Sequence, residues 1–184
     1  MFMRYILFVV VATAFAQGQM VATGGTGSGA VAFGDGPEDM HPPVARTLEE
    51  NIETQMNAAY AYYQILTKHA VYLARDNKTA TLLQQVIGYK YTNAKRLIMY
   101  AGSRGETPNP DPPQPINLSQ CDTPARCWEL SLTLERELYK ALTRLYTTAG
   151  NHDDVDMKAL AGSLVRDEMR SIMEVKRILR RSGR

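Results

Sequence analysis

The sequence predicts an all-α protein: a four-helix bundle with one long crossover between its second and third helices. Three observations carry this prediction. From residue 48 onward, apolar residues recur at helical spacing through four segments. Short breaks join the first segment to the second and the third to the fourth, which makes each pair an antiparallel hairpin. A proline-rich stretch separates the two hairpins, long enough in extended form to travel the length of a helix.

The first helical pattern runs through Leu48, Ile52, Met56, Ala59, Tyr63 and Leu66 to about Leu73. Thr47-Leu48-Glu49-Glu50 matches a capping box, which predicts its start. Asp76-Asn77 breaks the pattern. The second helix is expected from Thr79 to about Gly102, through Leu83, Val86, Ala94 and Leu97. Residues 105–115 then carry Pro108, Pro110, Pro112, Pro113 and Pro115, which exclude helix. A third helix starts near Asp122 or Thr123, with Pro124 in the tolerated first turn, and runs through Trp128, Leu134, Leu138, Leu142 and Leu145. Gly150-Asn151 stops it. The fourth spans about Asp153 to Arg181, through Met157, Leu160, Leu164, Ile172, Val175 and Ile178.

The chain before these helices reads as two non-core pieces. Residues 1–16 resemble a secretory signal: Arg4 is followed by the apolar run Tyr5 to Ala16, ending in an A-x-A pattern at Ala14-Phe15-Ala16. The run is about half of what a bilayer-spanning helix needs. Residues 17–45 are rich in Gly and Pro, lack a helical period and read as a flexible arm. Residues 46–184 remain for the bundle, one domain by size.

The formal net charge is +2. No basic stripe alternates with aromatic residues, so the sequence offers no footprint for nucleic acid. After signal cleavage nothing in it calls for a membrane. The basic end, Lys176-Arg177 through Arg180-Arg181, complements the macrodipole of a helix C-terminus. In an exported chain Cys121 and Cys127 can form a disulfide, within the chain or between subunits. Their C-x5-C spacing, with no histidine nearby in sequence, is not a zinc signature. Asn77-Lys78-Thr79 and Asn117-Leu118-Ser119 are glycosylation sequons.

Four segments, in order, resemble the ferritin family. Asn57-Ala58-Ala59-Tyr60-Ala61-Tyr62-Tyr63 is similar to the ferritin first helix, and Ala94-Lys95-Arg96-Leu97-Ile98 with Arg104-Gly105 to the end of the second. Trp128 and Leu132-Thr133-Leu134-Glu135-Arg136 resemble the third helix, and Asp167-Glu168-Met169-Arg170-Ser171-Ile172 the fourth. The resemblance covers about residues 47–180 and implies the single-crossover bundle of that family.

It also implies where an iron-oxidising centre would lie. Such a centre holds two irons with carboxylates and an imidazole facing the bundle interior. The matching positions here are Gln55, Tyr62, Lys90, Asn93, Glu135 and Glu168. The Glu-x-x-His pair of the second helix is replaced by Lys90-x-x-Asn93, and Gln55 stands where the first-helix glutamate belongs. Glu135 and Glu168 are the remaining metal-ligand candidates. Lys90 places a cation where an iron would sit, and the repulsion in a bundle interior is severe. The resemblance implies that Lys90 pairs with Glu135, as in ferritin light chains, and that Tyr62 is a core aromatic with a satisfied hydroxyl. No catalytic residue is expected. The cavity-facing surface reads Gln85, Gly88, Tyr89, Thr92 and Lys95, without an acid, and the positions of the family's acidic three-fold channel are Lys158 and Ala161. The sequence ends without the family's short fifth helix.

The expectation is therefore a secreted ferritin-like subunit of the light-chain kind, not an enzyme. It would contribute to a shell storing or transporting iron as mineral, with heavy-type catalytic subunits or other copies of itself as partners. The alternatives are a repurposed structural or chaperone-like bundle without iron, an enzyme with a remodelled iron site at Glu135, Glu168 and Gln55, and a helical cytokine, which the single crossover disfavours.

Overall fold

The computed structural model describes residues 40–182. The expected signal sequence and all but the last residues of the expected arm lie outside them. Four long helices dominate: α1 (Pro42–Lys68), α3 (Asn77–Ser103), α4 (Pro124–Asn151) and α5 (Val155–Ser182). A single turn of helix, α2 (Ala70–Leu73), follows α1, and a 3-10 turn spans Leu118–Gln120. Among the described residues there is no strand, and no helix is long and apolar enough to cross a membrane.

Helix α1 begins at Pro42, earlier than the capping box predicts, and Pro42–Ala45 belong to the bundle rather than to the arm. Two prolines at its first positions supply preset φ angles where backbone N–H groups would have no partner anyway. Thr47 therefore sits inside the helix. Its hydroxyl donates to the Pro43 carbonyl at 2.7 Å, and Glu50 pairs with Arg46 at 3.2 Å instead of closing a box. The helix stops at Lys68 because His69 leaves the helical region, with φ −106° and ψ 22°. Asp76 caps α3, accepting from the Thr79 amide at 3.1 Å and hydroxyl at 2.6 Å. Thr123 caps α4 ahead of Pro124, as expected. Asp153 takes a left-handed φ of 56° to turn the chain into α5, and Asp154 then accepts from the Met157 amide at 2.9 Å.

α1 packs against α3 and α4, and α5 against α4 and α3, so the four helices close a ring. Two apolar clusters fill it. One joins Val44, Leu48, Ile52, Leu97, Leu145, Met157 and Leu164. The other joins Tyr62, Ile65, Leu83, Val86, Trp128, Val175 and Ile178. The numbering gives the directions: α1 and α5 run from the first cluster to the second, and α3 and α4 run the opposite way. The crossover returns along α1. Side chains of Glu49, Glu53, Asn57 and Gln64 accept from the backbone amides of Asn109, Asp111, Gln114 and Ile116 at 2.8–3.1 Å. Extended, proline-rich backbone has no internal partners for these amides, and one face of α1 supplies them.

Candidate functional site

Between the two apolar clusters lies a band of buried polar side chains: Gln55 on α1, Lys90 and Asn93 on α3, Ser131 and Glu135 on α4, Glu168 and Ser171 on α5. Helical spacing produces it. Each of these residues continues the inward-facing stripe of its helix and replaces an apolar residue near the middle.

Lys90 is the centre of the band. Its ammonium donates to Glu135 Oε2 at 2.7 Å and to both oxygens of Glu168 at 2.8 Å. All three side chains are fully buried. Tyr62, also fully buried, donates its hydroxyl to Glu135 Oε1 at 2.6 Å. Thus the expected Lys90–Glu135 pair forms, Tyr62 has its partner, and Glu168 joins as a third ionisable member that the resemblance did not assign to Lys90. All four carboxyl oxygens accept hydrogen bonds from this set.

One ammonium cannot neutralise two buried carboxylates. Burial and the neighbouring Glu135 charge push the Glu168 carboxyl up to about 9, against the opposing pull of Lys90. That direction favours the protonated form of Glu168, which relieves the excess of negative charge in the band. The Tyr62 hydroxyl is held well above its ordinary value, first by burial and then by the Glu135 charge.

Gln55 and Asn93 are buried but stand outside this network. Neither amide atom of Gln55 has a hydrogen-bond partner, nor does Asn93 Nδ2. Gln85, Gly88, Tyr89, Thr92 and Lys95 share an exposed face of α3, as expected. Lys158 lies over the Tyr146 ring, whereas Ala161 is fully buried in the first cluster and lines no surface. Among the described residues, no group of three or more His, Cys, Asp or Glu side chains is disposed to hold a metal ion.

The cysteines pair within the chain, Cys121 with Cys127, at a Cα separation of 4.7 Å. Both are fully buried, beside Trp128. What the sequence did not reveal is His69, whose Nε2 lies 3.0 Å from Cys127 Sγ across 58 residues of chain. Of the sequons, Asn117 is exposed and accepts from the Ser119 amide at 2.8 Å. Asn77 is the exposed first residue of α3, with Thr79 of its sequon buried.

A family model described as a ferritin-like domain matches residues 49–183, while no curated protein matches the chain at a significant level. The matched span takes in nearly all of the bundle, including the crossover and the buried polar band. By topology, by the placement of that band and by this match over most of its length, the chain belongs to the ferritin family.

Proposed function

We propose that this chain is a non-catalytic, exported ferritin subunit that takes part in an iron-storing or iron-transporting shell with a catalytic heavy-type subunit. One observation carries the reading. Every oxygen of the two carboxyls in the polar band is engaged, three by the Lys90 ammonium and one by the Tyr62 hydroxyl. An Fe(II) substrate entering the band would have to displace a cation and break four hydrogen bonds in a buried site. Gln55 and Asn93 offer only neutral amides in place of the carboxylate and imidazole that iron prefers. The apolar run ending in Ala14-Phe15-Ala16 and the Cys121–Cys127 pairing support export.

The test is oxygen consumption on adding Fe(II) to the isolated chain, together with the mass and iron content of the native assembly. The expected result is negligible turnover by the chain alone and iron in a native particle that also contains a second subunit type. Turnover like that of a catalytic ferritin subunit would reassign the site to Glu135, Glu168 and Gln55. A second reading, a structural bundle without iron, is favoured by the acid-free face of Gln85, Gly88, Tyr89, Thr92 and Lys95. An iron-free native particle would select it.

A further inference from the structure

The last two turns of α5 carry more positive charge than the fold uses. Positions 174–184 hold five basic residues and one acid, Glu174, in a chain whose formal net charge is only +2. Val175 and Ile178 are buried in the second apolar cluster. Helical spacing then sends Lys176, Arg177, Arg180 and Arg181 to the opposite, exposed side. They form two rows, Lys176 with Arg180 and Arg177 with Arg181, the members of each row about 6 Å apart along the axis. The helix macrodipole accounts for the cations of the last turn, Arg180 and Arg181. Its effect falls off within that turn and does not explain Lys176 and Arg177. Ion pairing does not explain the cluster either. Arg177 meets Glu174 at 2.8 Å, but among the described residues no carboxylate lies within salt-bridge distance of Lys176, Arg180 or Arg181. Arg181 acts at longer range on Asp76, whose carboxyl is held low first by the Thr79 hydrogen bonds.

Beside these rows lies a cleft of about 380 Å³ between α3 and α5. Lys78, Thr81 and Gln85 line it from α3, and Arg177 and Arg181 from α5, with no acid among the described residues that line it. We propose that this basic ridge and the cleft beside it are a docking surface for a sulfated polysaccharide. The choice of partner rests on the export proposed above, which brings the chain to where such polymers are found.

The chemistry of the surface selects this class. Three of its four ridge cations are arginines, whose planar, weakly hydrated forks suit oxyanions with several acceptor oxygens. Repeated cations in two rows match a linear polyanion, which meets all of them at once. A dense run of Lys and Arg is a pattern shared by heparin and nucleic-acid patches. Bases, however, need aromatic side chains to stack on, and α5 contains none. A basic helix that enters a membrane surface needs an exposed apolar stripe. In these two turns Val175 and Ile178 face the core instead, although Met169 and Met173 are exposed on the preceding turns. Anionic vesicles are therefore the necessary comparison. The surface lies apart from the Lys90 band and uses none of its residues.

The experiment passes the full assembled protein over immobilised heparin and measures its affinity for a heparin oligosaccharide by calorimetry. The expected result is retention at ~0.15 M NaCl and release as rising salt screens the charges. Lys176→Gln with Arg180→Gln should weaken binding about tenfold or more. Arg136→Gln with Lys140→Gln removes the same charge from the exposed face of α4 and should leave the affinity within about twofold. Desulfated heparin should not bind. Circular dichroism on each variant separates loss of the surface from loss of fold. The proposal is overturned if the assembled wild type passes through the column, if both double variants lose affinity equally, or if desulfated heparin binds as well. Tighter binding to phosphatidylserine vesicles or to duplex DNA than to heparin would assign the ridge to a different partner and overturn it too. N-terminal sequencing of the chain recovered from the medium of expressing cells tests export separately. A chain that is not exported sinks that reading and this partner together, whereas an exported chain that ignores heparin sinks this partner alone.

Discussion

The Lys90 ammonium on α3 sits equally close, 2.8 Å, to both carboxyl oxygens of Glu168 on α5, while also holding Glu135 on α4 at 2.7 Å. Three helices therefore share one proton donor. Because Glu168 is the carboxyl that its surroundings push toward the protonated form, the two carboxyls differ in what their loss would do. Glu168→Gln keeps a neutral side chain of the same shape and should change stability at pH 7 by less than about 1 kcal/mol. Glu135→Gln leaves Lys90 without its anionic partner and should cost about 3–5 kcal/mol. Chemical denaturation of the two variants measures the difference. Equal losses would mean that Glu168 is the charged partner.

The same proton sets a pH dependence. Burial and the Glu135 charge push the folded Glu168 carboxyl up to about 9, above the ordinary carboxyl value, so between the two the native state holds a proton that the unfolded state releases. The sign follows from linkage: this contribution is complete below the ordinary carboxyl range and is lost as pH rises toward 9. Stability should decline across that window, and Glu168→Gln should flatten the decline. Denaturant midpoints at pH 5, 7 and 9 for both proteins would show it. A wild-type curve that rises over this range contradicts a protonated Glu168.

Restoring iron ligands requires removing the cation and replacing the orphaned amides together. Lys90→Glu with Asn93→His rebuilds the second-helix pair, and Gln55→Glu supplies a first-helix acid at a position whose amide has no partner to lose. The triple variant should bind Fe(II) that the wild type does not, measured by anaerobic titration and then by oxygen uptake. Lys90→Glu alone should be strongly destabilised, because it places three carboxyls in one buried site.

Opening the Cys121–Cys127 bridge by a double serine substitution should cost at most about 2–3 kcal/mol, since the closed loop is short. The effect should be local. Hydrogen exchange should rise in the Leu118–Gln120 turn and the first turn of α4 and stay unchanged near Leu145. Peptide mapping under non-reducing conditions should recover the two cysteines in one peptide pair from a single chain.

Asp154 ties the other end together. It accepts from the Tyr100 hydroxyl at 2.7 Å and the Met157 amide at 2.9 Å, with Arg104 3.4 Å away. Burial and the Asp154 hydrogen bond push the Tyr100 hydroxyl up to about 12. Asp154→Ala removes a helix cap and a tyrosine partner at once and should cost roughly 1–2 kcal/mol. Spectrophotometric titration should then find Tyr100 ionising at lower pH.

The helices, their hairpin order and the Lys90–Glu135 pair were legible because each rests on local period or on a family position. The start of α1 was not, since Thr47-x-x-Glu50 has the composition of a cap and only the geometry of Pro42-Pro43 overrides it. In the sequence Glu168 reads as a metal-ligand candidate beside Glu135, because its contact with Lys90 depends on how α5 packs against α3, which no spacing encodes. His69 escaped notice for a different reason. Sequence distance hides an imidazole that a helix break sets against Cys127 in the first turn of α4, 58 residues later. The side-chain partners of the crossover were invisible as well: Glu49, Glu53, Asn57 and Gln64 read as ordinary solvated positions.

Those crossover contacts impose a gear ratio. From Glu49 to Gln64 a helix climbs about 22 Å, and from Asn109 to Ile116 an extended proline-rich chain covers nearly the same length. One strap residue therefore advances about as far as two residues of α1. Lengthening the strap by one residue would present its next amide to a side chain two positions on, which points to the opposite side of the helix. Two added residues advance it by about one helical turn, and the accepting face returns. Averaged over the strap, this ratio favours length changes in steps of two; the stretch from Asp111 to Gln114, three residues against the four from Glu53 to Asn57, shows that the ratio varies locally. A one-residue insertion at Pro112 should disturb the amide protection of Gln114 and Ile116, and a second adjacent insertion should restore much of it.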